Sequence, residues 1–267
     1  DFSKLFPKKP PYREPEPVDL EVRVKEIEQN QRIKVYRGAT IENISGQPGQ
    51  FDVSVRSDGT ATKFRVGAIV QATGWKPYDA SKLGHLGSDC PNVITNVQME
   101  ELTASGKVNR PSDGKPARQI AFIQCAGSRD KSMGISYCSR VCCMYAIKQA
   151  MLLSGSLPLA YITIYYLAIR AFGKGYEQFY QNAKAMGIEF VKGKVATIDA
   201  GENGSVTLRY EDQNGAGVTS ANHDMVALSL GMIPGWNPEG TCPVSTAADR
   251  FIQTIRPKVA PTLTDME

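Results

Sequence analysis

Strand and helix signals alternate along the stretches Gln119-Ile-Ala-Phe-Ile-Gln124, Cys138-Ser-Arg-Val-Cys-Cys-Met-Tyr-Ala-Ile-Lys148 and Tyr161-Ile-Thr-Ile-Tyr-Tyr-Leu167. The first and third are short apolar runs rich in β-branched and aromatic residues, which is typical of buried strands. The middle stretch begins a helix predicted over residues 138–153, and a second helix over 176–186 precedes a strand over 188–191. Such alternation predicts an α/β fold with a parallel sheet.

Short alternating segments flank this region on both sides and predict two small antiparallel meanders. The first comprises residues 33–36, 39–44, 51–55 and 62–66, and the second comprises 195–198, 205–210 and 217–220. Each meander leads to a predicted buried strand that runs into a glycine, 68–72 before Gly74 and 225–230 before Gly231. This weak internal repeat predicts two related nucleotide-binding-type domains. A short helix after Asp19 and a strand and helix over 93–104 complete the predicted elements.

Composition excludes several classes of protein. A net charge of +4 over 267 residues is too weak to indicate a nucleic-acid surface. Residues 149–169 carry no charge, but Ser154-Gly-Ser156 and Pro158 interrupt them, so a buried helix end and a strand are expected rather than a membrane span. The chain starts at Asp1 without a targeting leader. We expect a cytoplasmic protein, which reaches a membrane only through partner subunits.

The cysteines are distributed unevenly. Four of the six, Cys125, Cys138, Cys142 and Cys143, fall within 19 residues, with Cys125 at the predicted carboxyl end of a strand. If the helix begins at Cys138, Cys138 and Cys142 share one face and Cys143 is turned by about 100°. Four thiolates at a helix N-terminus suit an iron–sulfur cluster. Four-cysteine zinc coordination, and buried free thiols with one redox-active pair, are the alternatives that this spacing leaves open.

Three segments resemble the A-subunit family of heterodisulfide reductases, which includes related flavoprotein subunits of quinone-interacting membrane-bound oxidoreductase complexes. The three segments are Phe122-Ile-Gln-Cys-Ala-Gly-Ser-Arg-Asp130, Tyr137-Cys-Ser-Arg-Val-Cys-Cys-Met-Tyr-Ala-Ile-Lys148 and Ile169-Arg-Ala-Phe-Gly-Lys-Gly-Tyr-Glu177. They occur in the family's order, and the resemblance covers most of residues 32–256. The resemblance implies a thioredoxin-reductase-like fold with two dinucleotide-binding domains, FAD as a cofactor, and a 4Fe-4S cluster held by the four matching cysteines. It further implies electron transfer in a complex with other redox subunits.

The prolines of residues 1–18 predict an extended arm. The resemblance implies that the central part of an FAD-binding domain (19–116), an NAD(P)-binding-like domain modified to hold the cluster (117–235) and a truncated return segment (236–267) follow it. No G-x-G-x-x-G follows a strand, so the FAD-pyrophosphate loop is missing. Gly215-Ala-Gly217 is predicted to be a hairpin instead. Ala72, Thr73 and Gly74 are expected to line the FAD edge in a complete protein. We interpret the chain as a piece of a larger flavoprotein that is not catalytically competent alone.

The loop after the strand at 120–124 receives the nicotinamide cofactor's pyrophosphate in thioredoxin-reductase-like enzymes. Here Cys125 occupies its first glycine position, so we expect that NAD(P)H binding has been exchanged for the cluster. A pyridine-nucleotide-disulfide oxidoreductase with a redox-active cysteine pair, and a non-catalytic zinc scaffold, remain the rival functions. We expect four further side chains to be packed or exposed, without a role as ligands: Cys90, Cys242, His85 and His223. For Arg170 three roles stay open: it offsets cluster charge, it contacts a neighbouring subunit, or it is solvated.

Overall fold

A computed structural model describes residues 7, 9–11, 15–213, 215 and 217–265. The predicted arm over residues 1–18 therefore lies partly outside the described residues. The chain divides into two compact units, one formed by residues 77–232 with the N-terminal segment and the other by residues 19–76 and 233–267.

The first unit is built on one large sheet with strand order β10-β9-β8-β7-β6-β11-β5. Its strands are β5 (Val93–Thr95), β6 (Gln119–Ala126), β7 (Tyr161–Tyr166), β8 (Glu189–Ala200), β9 (Val206–Asp212), β10 (Gly217–His223) and β11 (Met225–Leu230). Its helices are α2 (Asn96–Ser105), α3 (Cys142–Ser156) and α4 (Tyr176–Ala185). Strands β5, β11, β6, β7 and the start of β8 pair in parallel. The predicted α/β class with a parallel sheet is confirmed.

The apolar runs of the sequence form the core of this sheet. Ile120 and Phe122 of β6, Ile164 of β7 and Leu228 of β11 are almost completely buried. Helix α3 covers them with Ala146, Ile147, Ala150 and Leu153, which are all inaccessible to solvent. Strands that are covered by helices carry nearly continuous apolar sequence. For this reason the sequence pattern predicts both these strands and most of helix α3.

The second predicted meander is present with a different boundary. Strand β8 pairs with β7 in parallel through residues 189–192 and with β9 antiparallel through residues 193–200. It therefore joins two segments that the sequence predicted as separate strands. Strands β9 and β10 form a hairpin in which Gly217 pairs with Asp212, so the hairpin predicted at Gly215–Gly217 is confirmed in the described residues.

The second unit contains α1 (Leu20–Gln29) and the antiparallel sheet β1 (Thr40–Gln47), β2 (Gln50–Ser57) and β3 (Thr60–Val66). The short strands β4 (Trp75–Pro77) and β12 (Met232–Pro234) pair with each other, and each has one residue in the first unit. The first meander is thus confirmed over β1–β3, whereas residues 33–36 are not a strand. The side chains of Ile44, Phe51, Val53 and Val55 form its small core.

The buried strand predicted over residues 68–72 is wrong. These residues have no regular structure, and Val70 is 90% exposed. A strand requires backbone pairing with a neighbour, and no described strand lies beside this segment. The first half of the predicted repeat is therefore incomplete.

The domain boundary expected between residues 116 and 117 stays a prediction, whereas the two compact units divide between Lys76 and Pro77. The reason is the pairing of β5. Val93–Thr95 runs parallel to β11, and Thr95 then caps α2 by accepting a hydrogen bond of 3.2 Å from the Gln98 N–H. Residues 77–116 accordingly belong with the cysteine-bearing sheet.

Candidate functional site

The carboxyl ends of three neighbouring parallel strands, β7, β6 and β11, position the cysteine-rich segment. Helix α3 follows β6 and leads to β7 on one side, whereas β11 lies on the other side of β6. This is the kind of strand-order reversal beside which open α/β sheets place their ligands. Cys125 lies at the end of the central strand β6.

A bulge turns the backbone at Cys125. In the β6–β11 ladder Ile123 pairs with Leu228 and Ala126 pairs with Leu230, so two residues oppose the single residue Ser229. Cys125 itself has φ of 63°, a left-handed conformation that is uncommon outside glycine. Bulges of this kind re-aim side chains near functional sites.

The loop over residues 127–141 is held by short hydrogen bonds. The Ser128 hydroxyl and the Arg129 N–H both donate to the Tyr137 carbonyl, at 3.0 Å each. The Tyr137 hydroxyl donates to the Met232 carbonyl at 2.8 Å, and the Met232 N–H donates to Ser139 Oγ at 2.8 Å. These contacts fix the loop that carries Cys138.

Cys138 lies in this loop and not in the helix, so the predicted helix start at Cys138 is wrong. Helix α3 begins at Cys142, because Arg140 has φ of 65° and interrupts the helical backbone. The Arg140 N–H donates to Cys138 Sγ at 3.3 Å. The helical-face argument for Cys138 and Cys142 therefore fails, although Cys142 and Cys143 do occupy the first turn as expected.

Cys142 and Cys143 are buried and point to the ends of two different strands. Cys142 Sγ lies 3.7 Å from the Leu230 carbonyl at the end of β11, and Cys143 Sγ lies 3.6 Å from the Ala168 carbonyl after β7. Tyr145, two residues beyond Cys143 on α3, donates its hydroxyl to the same Leu230 carbonyl at 2.8 Å. The first turn of α3 is thus anchored to both flanking strands.

The four thiols influence one another electrostatically. Burial raises the pKa of Cys142 to about 12, and the nearby Cys125 and Cys143 contribute to that rise. Burial likewise raises the pKa of Cys143 to about 11, with contributions from Cys125 and Cys138. Cys125 is therefore a near neighbour of the other three. Without a bound positively charged group, Cys142 and Cys143 stay protonated at neutral pH.

Two arginines oppose this effect at Cys125. Burial is the largest influence and raises the pKa of Cys125, whereas the charge and hydrogen bonding of Arg129 lower it, as does the charge of Arg170. Arg129 Nη1 is buried and has no hydrogen-bond partner in the described part of the chain. A buried guanidinium nitrogen without an acceptor is costly, so the site suits an anionic group beside Cys125.

The donor set fits a thiolate-bound cluster in its chemistry. All six cysteines are free, and Cys125 acts electrostatically with Cys138, Cys142 and Cys143. Within the described ranges, no three Cys, His, Asp or Glu side chains form a ready single-ion coordination sphere. Cys90 and Cys242 lie elsewhere, each half-buried.

The residues expected to line FAD lie in the other unit. Ala72, Thr73 and Gly74 are all exposed, and Gly74 has φ of 67°. The Gly74 carbonyl accepts a hydrogen bond of 3.2 Å from the Gly235 N–H. A Cβ at Gly235 would lie 2.6 Å from the Thr73 carbonyl oxygen, so glycine is required where these two segments approach. The FAD role of all three residues stays a prediction.

Sequence reasoning missed Arg129 and the buried pair Lys148–Glu100. Lys148 Nζ donates to Glu100 Oε1 at 2.8 Å, and Gln149 Nε2 donates to Glu100 Oε2 at 2.8 Å. A lysine in an apolar helix was the available signal, but its partner is 48 residues away. His223, expected to be packed or exposed, is buried beside Tyr165.

The fold is that of the thioredoxin-reductase-like flavoproteins. Thioredoxin reductase of T. acidophilum superposes with a TM-score of 0.55 at 14% identity, covering 98% of this chain and 73% of that one. The FAD-bound cadaverine monooxygenase of desferrioxamine biosynthesis from Erwinia amylovora gives 0.52 at 9% identity, covering 86% and 60%. No family model matches the chain.

Sequence relatives identify the group within that class. The A-subunit of the ferredoxin:CoB-CoM heterodisulfide reductase of Methanosarcina mazei is 41% identical over 208 residues, 74% of this chain and 26% of the relative. The A-subunit of the H2:CoB-CoM heterodisulfide,ferredoxin reductase of Methanothermobacter thermautotrophicus is 41% identical over 218 residues, 76% of this chain and 33% of the relative. This chain is a homologue of part of the A-subunits of heterodisulfide reductases, which confirms the resemblance drawn from the motifs.

The name of a third relative includes the term iron-sulfur. The iron-sulfur A-subunit of the CoB–CoM heterodisulfide reductase of Methanocaldococcus jannaschii is 36% identical over 216 residues, 77% of this chain and 33% of the relative. The chain spans between a quarter and a third of the length of these relatives.

Proposed function

We propose that the chain is an electron-transfer part of an oxidoreductase of the heterodisulfide reductase type, and that Cys125, Cys138, Cys142 and Cys143 bind a 4Fe-4S cluster. The observation that supports the proposal is that Cys125 lies at the end of β6, Cys142 and Cys143 open α3, Cys138 lies in the loop between them, and all four are free. A bound cluster would supply one-electron transfer, in exchange with FAD in the complete protein.

The protein contributes position and electrostatics. The bulge turns the backbone at Cys125, and the Tyr137 and Ser139 contacts hold the loop carrying Cys138. The α3 N-terminus supplies unpaired backbone N–H groups that favour anionic sulfur. Because the raised pKa values keep Cys142 and Cys143 protonated in the metal-free protein, ligation releases protons from these thiols.

The conformation of Cys125 supports the exchange of NAD(P)H for a cluster. Its φ of 63° is the backbone conformation that a glycine would favour at the start of a phosphate-binding loop. In this proposal the thiol side chain of Cys125 takes the place of the first glycine of that loop. We expect no micromolar NAD(P)H binding by isothermal titration, and micromolar binding would contradict this part of the proposal.

FAD and partner proteins belong to the complete protein in this proposal. Ala72, Thr73 and Gly74 would line the FAD edge, which the fold of the FAD-bound monooxygenase supports. Partners would be other subunits of a heterodisulfide reductase-like or quinone-interacting redox complex, in the cytoplasm or at a membrane through those subunits. In the described residues, no helix is long and apolar enough to cross a membrane.

Metal content of anaerobically prepared protein tests the proposal. We expect about four iron and four sulfide per chain, with visible charge-transfer absorption. The Cys142→Ser variant should lose most of the iron, whereas Cys90→Ser should keep it, because Cys90 lies outside the cluster of four. Zinc without sulfide, or a colourless protein with a reducible disulfide, would favour the zinc scaffold or the redox-active pair and refute the proposal.

A further inference from the structure

Arg129 is a half-buried cation in the loop that follows β6. It follows the β6 bulge with φ of 56°, and its N–H donates to the Tyr137 carbonyl at 3.0 Å. The side chain lines the same cleft as Cys125 and Gly127. Its Nη1 is buried without an acceptor in the residues that the structure describes.

A guanidinium cannot lose its proton, so it cannot escape burial by becoming neutral. A buried nitrogen of such a group needs a hydrogen-bond acceptor, and an anionic acceptor also balances its charge. The groups around it include the Cys125 thiol, which its charge and hydrogen bonding affect, and Cys143, which its charge affects. Neither accepts a hydrogen bond from Nη1 of Arg129 in the described residues.

We propose that Arg129 is a positioning residue that donates from Nη1 to the cluster held by Cys125 and Cys143 and raises the cluster's reduction potential. This inference rests on the proposed function. Hydrogen bonds to sulfur and nearby positive charge stabilise the more negative, reduced state of a cluster. Arg170 is the other cation that acts on Cys125, but its side chain is exposed and water screens it.

Arg140 offers a matched control. It lies in the same loop, between two of the candidate ligands, and also has positive φ. Its side chain is exposed, with Cζ 5.8 Å from the centroid of the Phe172 ring. Its contact with Cys138 is made by the backbone N–H, which Arg140→Gln retains.

The experiment measures iron, sulfide and the reduction potential of the wild-type chain and of Arg129→Gln, Arg129→Lys and Arg140→Gln, prepared anaerobically. Potentials are read from dye-equilibrated titrations followed by visible absorption and electron paramagnetic resonance. At the wild-type midpoint, Arg129→Gln should lower the ratio of reduced to oxidised cluster at least tenfold, which is about 59 mV for one electron. Arg129→Lys should lie between Arg129→Gln and the wild type, and Arg140→Gln should match the wild type.

Each other result has a defined meaning. A loaded Arg129→Gln protein with the wild-type potential overturns the inference and leaves the proposed function intact. A wild-type chain without iron and sulfide overturns both. If Arg129→Gln assembles no cluster, Arg129→Lys decides: a loaded protein with a lowered potential supports the inference, and one with the wild-type potential overturns it. If both Arg129 variants lose the cluster, the unfolding temperatures of the metal-free proteins are compared with that of Arg140→Gln. Equal unfolding temperatures support the inference, and lowered unfolding temperatures overturn it.

Discussion

His223 should make the stability of the chain depend on pH between about 6.5 and 4. It ends β10, is 5% exposed, and places Nε2 3.0 Å from the Tyr165 hydroxyl oxygen. Its Nδ1 is buried and lacks a hydrogen-bond partner in the described residues. Burial lowers the pKa of His223 from 6.5 to about 4, although the nearby Asp224 carboxylate opposes the shift.

The sign follows from proton binding. Below pH 6.5 the unfolded chain protonates this imidazole, whereas the folded chain does so only near pH 4. The unfolded state then binds more protons, so acid favours unfolding and the stabilisation is complete only above pH 6.5. The full difference corresponds to about 3.4 kcal/mol at about 1.36 kcal/mol per pH unit, and about 2 kcal/mol of it is lost at about pH 5.

Urea unfolding of the metal-free chain, followed by circular dichroism at about pH 7.5 and about pH 5, measures this effect. Because other groups also titrate, the quantity of interest is the difference between the wild type and His223→Gln, which has no imidazole at this position. Between the two pH values, the wild type should lose about 2 kcal/mol more of its free energy of unfolding than His223→Gln does.

His85 is the only other histidine of the chain and is exposed, so His85→Gln is the control. It should follow the wild-type pH dependence. Equal losses in the wild type and His223→Gln, or a His85→Gln protein that behaves like His223→Gln, would refute the reasoning from the buried imidazole.

Two further changes test the packing around the cysteines by chemical denaturation. Lys148→Met should lower the free energy of unfolding by about 3 kcal/mol, because it leaves the Glu100 carboxylate buried without its cation. The double variant with Glu100→Met should recover most of that loss. A Lys148→Met protein as stable as the wild type would contradict this expectation. Gly127→Ala should cost about 1–3 kcal/mol more than Gly134→Ala, since both glycines have positive φ but only a Cβ at Gly127 meets the Tyr78 ring, 2.3 Å from its Cδ1. Equal costs would show that the ring moves aside.

Much of the cysteine-bearing sheet was predictable because its strands are buried on both faces. Continuous apolar runs located β6, β7 and β11, and the apolar face of α3 located most of that helix. The start of α3 was not predictable, since it depends on the positive φ of Arg140, which sequence periodicity does not encode. The prediction of a strand over residues 68–72 was wrong because a strand also needs a neighbour. Its apolar residues suit a strand, but no described strand pairs with them.

The sequence by itself determined the class of fold, the group of relatives and which four cysteines to consider, because these depend on local residue patterns and on motif order. Tertiary structure decided how the backbone around those cysteines is held. A bulge against β11, a strand about a hundred residues later, turns the backbone at Cys125, and a contact with Met232 holds the loop that carries Cys138. It also decided that Nη1 of Arg129 is buried without an acceptor in the described residues. These features arise from contacts between segments that are distant in sequence, and a local sequence pattern does not encode such contacts.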